Sequence, residues 1–321
     1  MRRIAILAAL LIALGACATS EGGSTTTGGP TTEPAEATTT AGPTTTADTG
    51  FPVTVSDGVN EVTLATRPES IVSLSSTATE MLFAVGAGEQ VVAVDEFSTV
   101  PDGAPVTDLS GFTPNLEAIL GYEPDLVVIS FDPGDLQAGL AAVDVPSLLL
   151  PTATDLEDSY RQLEVIGAAT GHVGEAAEVV ANMQSDIEAI LASATPAEGV
   201  TFYHEVDPTF YSATSASFIG QMYGLLGMVN IADEADDGTG FPQLSSEYIV
   251  SQDPNIIFLA DVDFGVAPES LAERPGWDGM TAVQNQAIVG LDSYLASNWG
   301  PSVVDLLETI ADSAAEMAPA S

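Results

Sequence analysis

The chain has 321 residues, a formal charge of −41 at pH 7 and a single cysteine. This length accommodates one large domain or two lobes of ordinary size. Nucleic acids and anionic lipid surfaces require a basic protein surface, so we exclude both as ligands. Adaptation to a salt-rich medium, which screens the repulsion among the 46 acidic residues, is the simplest explanation of the charge.

The first residues are typical of an export signal. Arg2 and Arg3 precede an apolar run over residues 4–14 that is too short for a membrane-spanning helix. The tetrad Leu-Gly-Ala-Cys that ends at Cys17 resembles the lipobox of bacterial lipoproteins. This resemblance implies a signal peptide at 1–16 and an acylated Cys17 that anchors the mature chain to the outer face of the cytoplasmic membrane. A plain secretory signal with an incidental cysteine is the alternative.

Residues 17–50 are rich in Thr, Gly and Pro and contain no aromatic side chain. Such a segment cannot bury enough apolar surface to offset the entropy of ordering it. We therefore predict a disordered tether that lets the folded part of the protein move close to the membrane.

Residues 51–155 predict a first α/β lobe. Val53–Val55 and Val62–Leu64 flank Asp57-Gly58, a pattern typical of a β-hairpin. Short apolar strands then alternate with helical stretches, which indicates βα units around a mostly parallel, buried sheet. The predicted strands are Ile71–Leu74, Val91–Val94, Leu126–Ile129 and Leu148–Leu150, and the predicted helices are Thr77–Val85, Asn115–Leu120 and Gly134–Ala142.

Residues 156–197 predict a helical connector, and residues 198–321 predict a second lobe. Apolar residues recur at three- and four-residue spacings over about 173–194, so one long helix is expected there. The second-lobe strands are predicted at Val200–Tyr203, Ile256–Leu259 and Ala287–Gly290, and its helices at Ser217–Leu226, Ser245–Ser251 and Pro301–Glu316. The expected fold class is therefore α/β, with two three-layer lobes of mostly parallel sheets, a single long backbone helix joining them, and a ligand cleft between them.

Four groups of short motifs follow one another along the chain. They are Arg67-Pro68-Glu69-Ser70 with Thr79-Glu80-Met81-Leu82, Pro114-Asn115-Leu116-Glu117 with Glu123-Pro124-Asp125, Gln243-Leu244-Ser245-Ser246-Glu247 with Asp253-Pro254-Asn255, and Arg274-Pro275-Gly276-Trp277 with Ala282-Val283-Gln284-Asn285. From Arg67 onward the chain thereby resembles the iron-siderophore and cobalamin branch of the periplasmic substrate-binding proteins of ABC importers. This resemblance implies the class III fold, in which a backbone helix joins the lobes, and the capture of a metal chelate.

The resemblance also implies two permease-docking residues. In the family, one exposed Glu on each lobe enters an arginine pocket of the permease, and the matching positions are Glu117 and Glu247. Arginine–carboxylate pairing is directional, so it would orient the protein on the permease. The expected partners are this permease and its ATPase, and the binding protein itself is expected to be a monomer. The alternative is that both residues are ordinary solvated acids.

Aromatic residues in predicted loops are candidates for the ligand cleft. They are Phe97, Phe112, Phe210, Tyr211, Phe241 and Trp299. The resemblance matches Phe97, Phe210 and Phe241 to aromatic residues of the family's cobalamin site. Flat apolar faces suit a corrin, a porphyrin or a catecholate chelate, whereas packing in the core is the alternative for each residue.

Charge and metal-binding residues narrow the ligand further. The three arginines after Cys17 are Arg67, Arg161 and Arg274, and none is predicted at a cleft loop. We therefore expect a neutral or cationic chelate, such as a corrinoid or a ferric hydroxamate, rather than an anionic one. Tyr203, His204 or Tyr211 would be the iron ligand if the chelate were haem. His172 is expected between two helices, far in sequence from His204. Direct capture of zinc or manganese would need several clustered His and carboxylate ligands, so no protein-bound metal or cofactor is expected.

The sequence contains no phosphate loop, dinucleotide fingerprint, nucleophile elbow or His-Glu-x-x-His motif, so we expect no enzymatic activity. A sensor of the same fold that binds a ligand without transporting it remains open. A secreted glycosidase that uses paired carboxylates is a remote alternative.

Overall fold

The computed structural model describes residues 50–317, so the predicted signal peptide, Cys17 and the tether up to residue 49 lie outside the described residues. The strands are β1 Val53–Ser56, β2 Glu61–Leu64, β3 Ile71–Leu74, β4 Val91–Val94, β5 Leu126–Ile129, β6 Ser147–Leu149, β7 Thr201–Glu205, β8 Val229–Asn230, β9 Ile256–Leu259 and β10 Ile288–Gly290. The helices are α1 Ser76–Ala84, α2 Leu116–Leu120, α3 Leu136–Ala141, α4 Leu156–Thr170, α5 Val173–Ser193, α6 Phe218–Gly224, α7 Ser246–Gln252, α8 Thr281–Gln284 and α9 Val303–Met317. Within residues 50–317, none of the helices combines the length and the apolar character that crossing a membrane requires.

Two four-stranded parallel sheets form the centres of the two lobes. The first has the strand order β4-β3-β5-β6 and the second has the order β8-β7-β9-β10, so the two lobes repeat one topology. Strands β3, β5 and β9 are buried along their whole length, which requires cover on both faces of each sheet. The prediction of two α/β lobes with mostly parallel sheets is confirmed.

The predicted hairpin is present, with β1 and β2 in antiparallel register. The buried Asp57 organises its turn, because Oδ1 accepts hydrogen bonds from the N–H groups of Val59 at 2.8 Å and Asn60 at 2.6 Å. Its Oδ2 accepts from the Leu149 N–H in β6 at 3.0 Å. One carboxylate therefore closes the turn and fastens the hairpin to the edge of the first sheet.

The connector consists of α4 and α5, separated by Gly171 and His172. Gly171 has a φ of +78°, which glycine adopts without strain and which ends α4. The 21 residues of α5, at ~1.5 Å each, span about 32 Å. Before its start, His172 Nε2 lies 2.7 Å from Arg67 Nη2 of the first lobe, and beyond its end the Ala197 N–H donates to the Leu226 carbonyl of the second lobe at 3.2 Å. The long helix therefore crosses from one lobe to the other, as predicted.

One hydrophobic cluster continues from the first lobe through the connector into the second. Its members along the chain include Ile71, Leu126, Met183, Phe258 and Leu306. Each lobe has a further cluster on the other face of its sheet, which completes the three layers. Because separating the lobes would expose shared apolar core, at a cost of about 25 cal/mol per Å², we expect lobe motions of small amplitude.

Some element boundaries differ from the predictions. Helix α3 begins at Leu136 rather than at residue 134, because Gly134 and Asp135 have φ of +67° and +58° and cannot join a right-handed helix. Helix α9 begins at Val303 rather than at Pro301. Strand β8 and helix α8 were not predicted, since elements of two and four residues are too short to show a hydrophobic period.

Candidate functional site

A cavity of about 810 Å³ lies between the two lobes. The first lobe contributes residues 76, 96, 97 and 99, and the segment before α4 contributes residues 152–154. The second lobe forms the rest of the wall, mainly with residues that follow β7, β9 and β10 and with the start of α6. The volume lies within the range of small-molecule binding sites, and many of the lining residues lie in loops that follow strands.

Three exposed phenylalanines of the first lobe form a row that starts at this cavity. Phe97 lines the cavity, and its ring centroid is 5.5 Å from that of Phe112, which is 5.4 Å from that of Phe131. Phe112, also predicted for the ligand cleft, lies outside the cavity lining. The three side chains are 55%, 62% and 41% exposed. Clustered aromatic faces in water mark binding surfaces. Phe131 was missed by the sequence reasoning, although it closely follows a predicted strand and so carries the same signal as Phe97.

Aromatic residues of the second lobe line the same cavity. Phe241 and Phe264 are 45% and 77% exposed, and Phe218 and Tyr294 complete this part of the wall. Only Phe241 was predicted. Phe264 follows β9 in a loop, so the rule of aromatic residues after strands would have found it as well.

Phe210 and Tyr211 do not line this cavity, which corrects the prediction that they do. Phe210 has a φ of +70° and packs against Trp277, with ring centroids 5.9 Å apart, in the core on the other face of the sheet. Tyr211 pairs with Gln243 in an isolated antiparallel bridge. The reason is that the chain turns back on itself directly after β7, which the sequence pattern did not show.

Trp299 lines the cavity, but only 8% of its surface is exposed. Its Nε1 donates to Gln162 Oε1 of α4 at 2.8 Å, and its carbonyl accepts from the Ser159 hydroxyl. Trp299 therefore holds the loop before α9 against the connector, and little of its ring is available to a ligand.

His204 lies in the cavity wall at the end of β7 and is buried. Its Nδ1 is 2.8 Å from the hydroxyl of Tyr223. Burial lowers the pKa of His204 to about 4, so the imidazole is neutral near pH 7. Tyr203, the neighbouring candidate, is buried on the opposite face of the sheet against Trp277 and does not line the cavity. His172 lies at the start of α5, as expected.

The described lining of the cavity contains one acid, Glu96, and neither arginine nor lysine. The three arginines of residues 50–317 are bonded elsewhere: Arg67 to the Thr170 carbonyl, Arg161 to Asp158 and Arg274 to Glu205. An anionic ligand would therefore find no cation in this wall to compensate its charge. No group of three or more His, Cys, Asp or Glu in the described part of the chain is arranged to hold a metal ion.

A buried charge cluster lies behind the cavity in the second lobe. Arg274 donates two hydrogen bonds to Glu205, at 2.6 and 2.7 Å. Beside Glu205 lies Asp261, whose two carboxyl oxygens are buried and have no hydrogen-bond donor within residues 50–317. Burial, and then the charge of Glu205, raise the pKa of Asp261 to about 7. Arg274 also stacks on Trp277, which donates to Ser246 Oγ in α7, so the cluster links the cavity wall to that helix.

Residues 71–295 match the family model described as periplasmic binding protein. The chain belongs to this family. It is 30% identical over 274 residues to an uncharacterized ABC transporter substrate-binding lipoprotein of Bacillus subtilis, covering 82% of this chain and 85% of that one. It is also 30% identical over 283 residues to a cobalamin-binding protein of Halobacterium salinarum, covering 82% and 74% of the two chains.

Solved structures show the same periplasmic binding protein fold. The periplasmic vitamin B12-binding protein of Vibrio cholerae superposes with a TM-score of 0.62 at 23% identity, covering 78% of this chain and 97% of that one. An Fe³⁺-hydroxamate transport protein of Saccharomonospora viridis gives 0.67 at 23%, covering 82% and 99%. The relatives are named for substrate binding, not for catalysis, and this chain is a substrate-binding protein of the ABC-transporter class.

In this periplasmic binding protein, Glu117 and Glu247 occupy equivalent places in the two lobes. They are the second residues of α2 and α7, and both are exposed. A side-chain cap starts each helix, because Asn115 and Ser245 accept from the third N–H of the helix at 3.2 and 3.1 Å. A carboxylate is favourable in a first helical turn. Neither acid makes a hydrogen bond or ion pair within the described residues, so both are available to a partner.

Proposed function

We propose that this protein captures a neutral, ring-shaped metal chelate, preferably a corrinoid, and delivers it to the permease of an ABC importer. The observation that carries the proposal is the interlobe cavity, whose described wall is rich in aromatic side chains and contains no arginine or lysine. Aromatic faces supply large contact areas to a planar macrocycle. A ligand without net negative charge needs no cation in the wall. The similarity to a cobalamin-binding protein supports the same ligand class.

The exposed row of Phe97, Phe112 and Phe131 adds support for a large ligand. The row extends the apolar surface beyond the cavity itself, since Phe97 lines the cavity and the other two rings continue outward. A corrinoid carries bulky substituents around its ring, so part of it would project from a cavity of about 810 Å³. We infer that this projecting part rests on the row.

Delivery completes the proposal. Cys17 would carry the lipid anchor on the outer face of the cytoplasmic membrane, and Glu117 and Glu247 would pair with arginines of the permease. The equivalent, exposed positions of the two acids support the pairing, and a relative named as a lipoprotein supports the anchor.

Titration calorimetry with a panel of chelates tests the ligand class. We expect cyanocobalamin to bind, neutral ferrichrome to bind more weakly, and a trianionic ferric catecholate to bind roughly 100-fold or more weakly than cyanocobalamin. Salt screens the long-range repulsion between the acidic protein and an anionic chelate, so a difference in affinity that persists at high salt comes from contacts with the cavity wall. Preferential binding of the catecholate at high salt would overturn the proposal.

Uptake of labelled cyanocobalamin tests docking. Glu117→Ala and Glu247→Ala should each lower uptake, and together abolish it, while the affinity for cyanocobalamin stays unchanged. Glu188→Ala, which removes an exposed acid from the backbone helix, is the matched control and should transport normally. Normal uptake by the double variant would exclude these acids as docking residues and favour a sensor.

Haem is the second candidate, and His204 favours it. The side chain is in the cavity wall, its imidazole is neutral, and Tyr223 orients it through Nδ1. A neutral imidazole is a suitable axial ligand for haem iron. Haemin titration followed in the Soret region should then show a ligation band that His204→Ala lacks. The near-complete burial of His204 makes the corrinoid the preferred candidate.

A further inference from the structure

Residues 294–302, here called the latch loop, belong to the second lobe but are bonded to the first. The loop follows β10 and leads into α9. Glu80 of α1, in the first lobe, accepts from the Ser302 N–H with Oε1 at 2.6 Å and from the Ser302 hydroxyl with Oε2 at 3.0 Å. The first N–H groups of a helix lack partners within the helix. Glu80 therefore acts as a cap for α9 that is supplied from the other lobe.

Asn298 forms the second attachment. Its Oδ1 accepts from the hydroxyls of Ser76, at 3.0 Å, and Thr77, both in α1. Its Nδ2 donates back to the Tyr294 carbonyl within the latch loop at 2.6 Å. Because Asn298 is buried, these bonds are protected from competition by water. The side chain thus fixes both the shape of the loop and its place on the first lobe.

The close approach at Glu80 depends on Gly300. A Cβ at position 300 would overlap the Glu80 carboxylate, so a larger residue there would displace the end of the Glu80 side chain. Burial raises the pKa of Glu80, as expected for a carboxylate that is largely removed from water. The bonds from Ser302 and the positive end of α9 offset part of the desolvation cost.

The same loop forms part of the ligand cavity. Tyr294, Ala296, Ser297, Asn298 and Trp299 all line it. We propose that Glu80 and Asn298 are positioning residues that lock this wall of the cavity onto the first lobe and thereby retain a bound ligand. The role of the lock in ligand retention rests on the proposed function, whereas the lock itself does not.

Interlobe distances test the lock without any ligand. Residues 50–317 contain no cysteine, so Ala141→Cys and Glu269→Cys, at exposed sites on the two lobes, accept spin labels in a full chain carrying Cys17→Ser. We expect a narrow distance distribution in this background. Adding Glu80→Ala or Asn298→Ala should broaden it and lengthen its mean. Glu89→Ala, which removes an exposed, unbonded acid of the first lobe, is the control and should change nothing.

Binding kinetics supply the second measurement. Loss of a hydrogen bond to a charged group should make cyanocobalamin dissociate about tenfold faster from Glu80→Ala. Glu80→Gln keeps one acceptor for the Ser302 N–H and should fall between. If Glu80→Ala does not fold, Glu80→Gln and Ser76→Ala carry the same test with milder changes. Unaltered distance distributions in the folded variants overturn the inference, whereas a wild-type protein that binds no cyanocobalamin overturns only the proposed function.

Discussion

Asp261 should make the stability of this protein fall as the pH rises from acid to neutral. Its carboxyl oxygens are buried without a donor, and its neighbour Glu205 is already engaged by Arg274. A proton on Asp261 would supply the missing donor, since the protonated carboxyl can donate to Glu205. Asp261→Asn keeps the shape and provides a permanent donor in the form of the amide group.

The sign and the magnitude follow from the pKa. The ordinary pKa of Asp261 is 3.8, and the folded protein raises it to about 7. Below 3.8 both the folded and the unfolded chain hold the proton, so the stabilisation is fully present. Between the two values only the folded chain holds it, so the free energy of unfolding decreases with rising pH until the loss is complete near pH 7. At about 1.4 kcal/mol per pKa unit the loss reaches at most ~4.5 kcal/mol, and solvent screening reduces it to roughly 2 kcal/mol.

Urea unfolding at pH 5 and pH 8 measures this effect. Asp261→Asn should exceed the wild type by only about 0.7 kcal/mol at pH 5 and by roughly 2 kcal/mol at pH 8. Burial also raises the pKa of Glu80, so the free energy of unfolding of the variant still decreases with rising pH, but less steeply than that of the wild type. Asp278→Asn, an exposed acid of the same lobe, should change stability by less than about 0.5 kcal/mol at either pH. A variant that keeps the full wild-type slope, or is less stable at pH 8, would refute the reasoning.

Three further predictions concern local structure. Ser245→Ala removes the cap that accepts from the Tyr248 N–H, and should lower the free energy of unfolding by about 1 kcal/mol in urea titrations; no change would contradict the capping role. Gly220→Ala places a Cβ against the Thr214 carbonyl oxygen, so thermal melts should show a loss of at least about 3 kcal/mol in the free energy of unfolding, or no folded protein. A stable variant would show that α6 can shift. Leu306→Ala removes a fully buried side chain from the shared core and should lower the free energy of unfolding by about 2–5 kcal/mol. Calorimetry should still show one transition, because both lobes pack on that core; two separated transitions would disprove the shared core.

Much of the fold follows from local patterns in the sequence. Residues that are near neighbours along the chain encode the alternating apolar strands and helices. They also encode the three- and four-residue periodicity after residue 173 and the caps at Asn115 and Ser245. Local propensity and burial agree at these places, so the predicted elements form where they were expected. The exposure of Glu117 and Glu247 does not follow from such local patterns, since Thr77, at the same place in α1 after the cap Ser75, is buried.

The composition of the site was only partly predictable. A rule that places ligand contacts in loops after strands selects Phe97, which lines the cavity, and it would also have selected Phe264. It fails at Phe210, because the loop after β7 folds back and carries this ring to the opposite face of the sheet. The path of a loop depends on what it packs against, and that information is spread over distant parts of the chain.

Sequence by itself determined the class of fold and the acidic character of the protein, since these depend on composition and on neighbours a few residues apart. Only the tertiary structure decided the pairings that shape the site: Arg274 with Glu205 across 69 residues, and Ser302 with Glu80 across 222. Such pairs form because packing brings two elements together, and a single sequence has no periodicity that records which distant partner each residue meets.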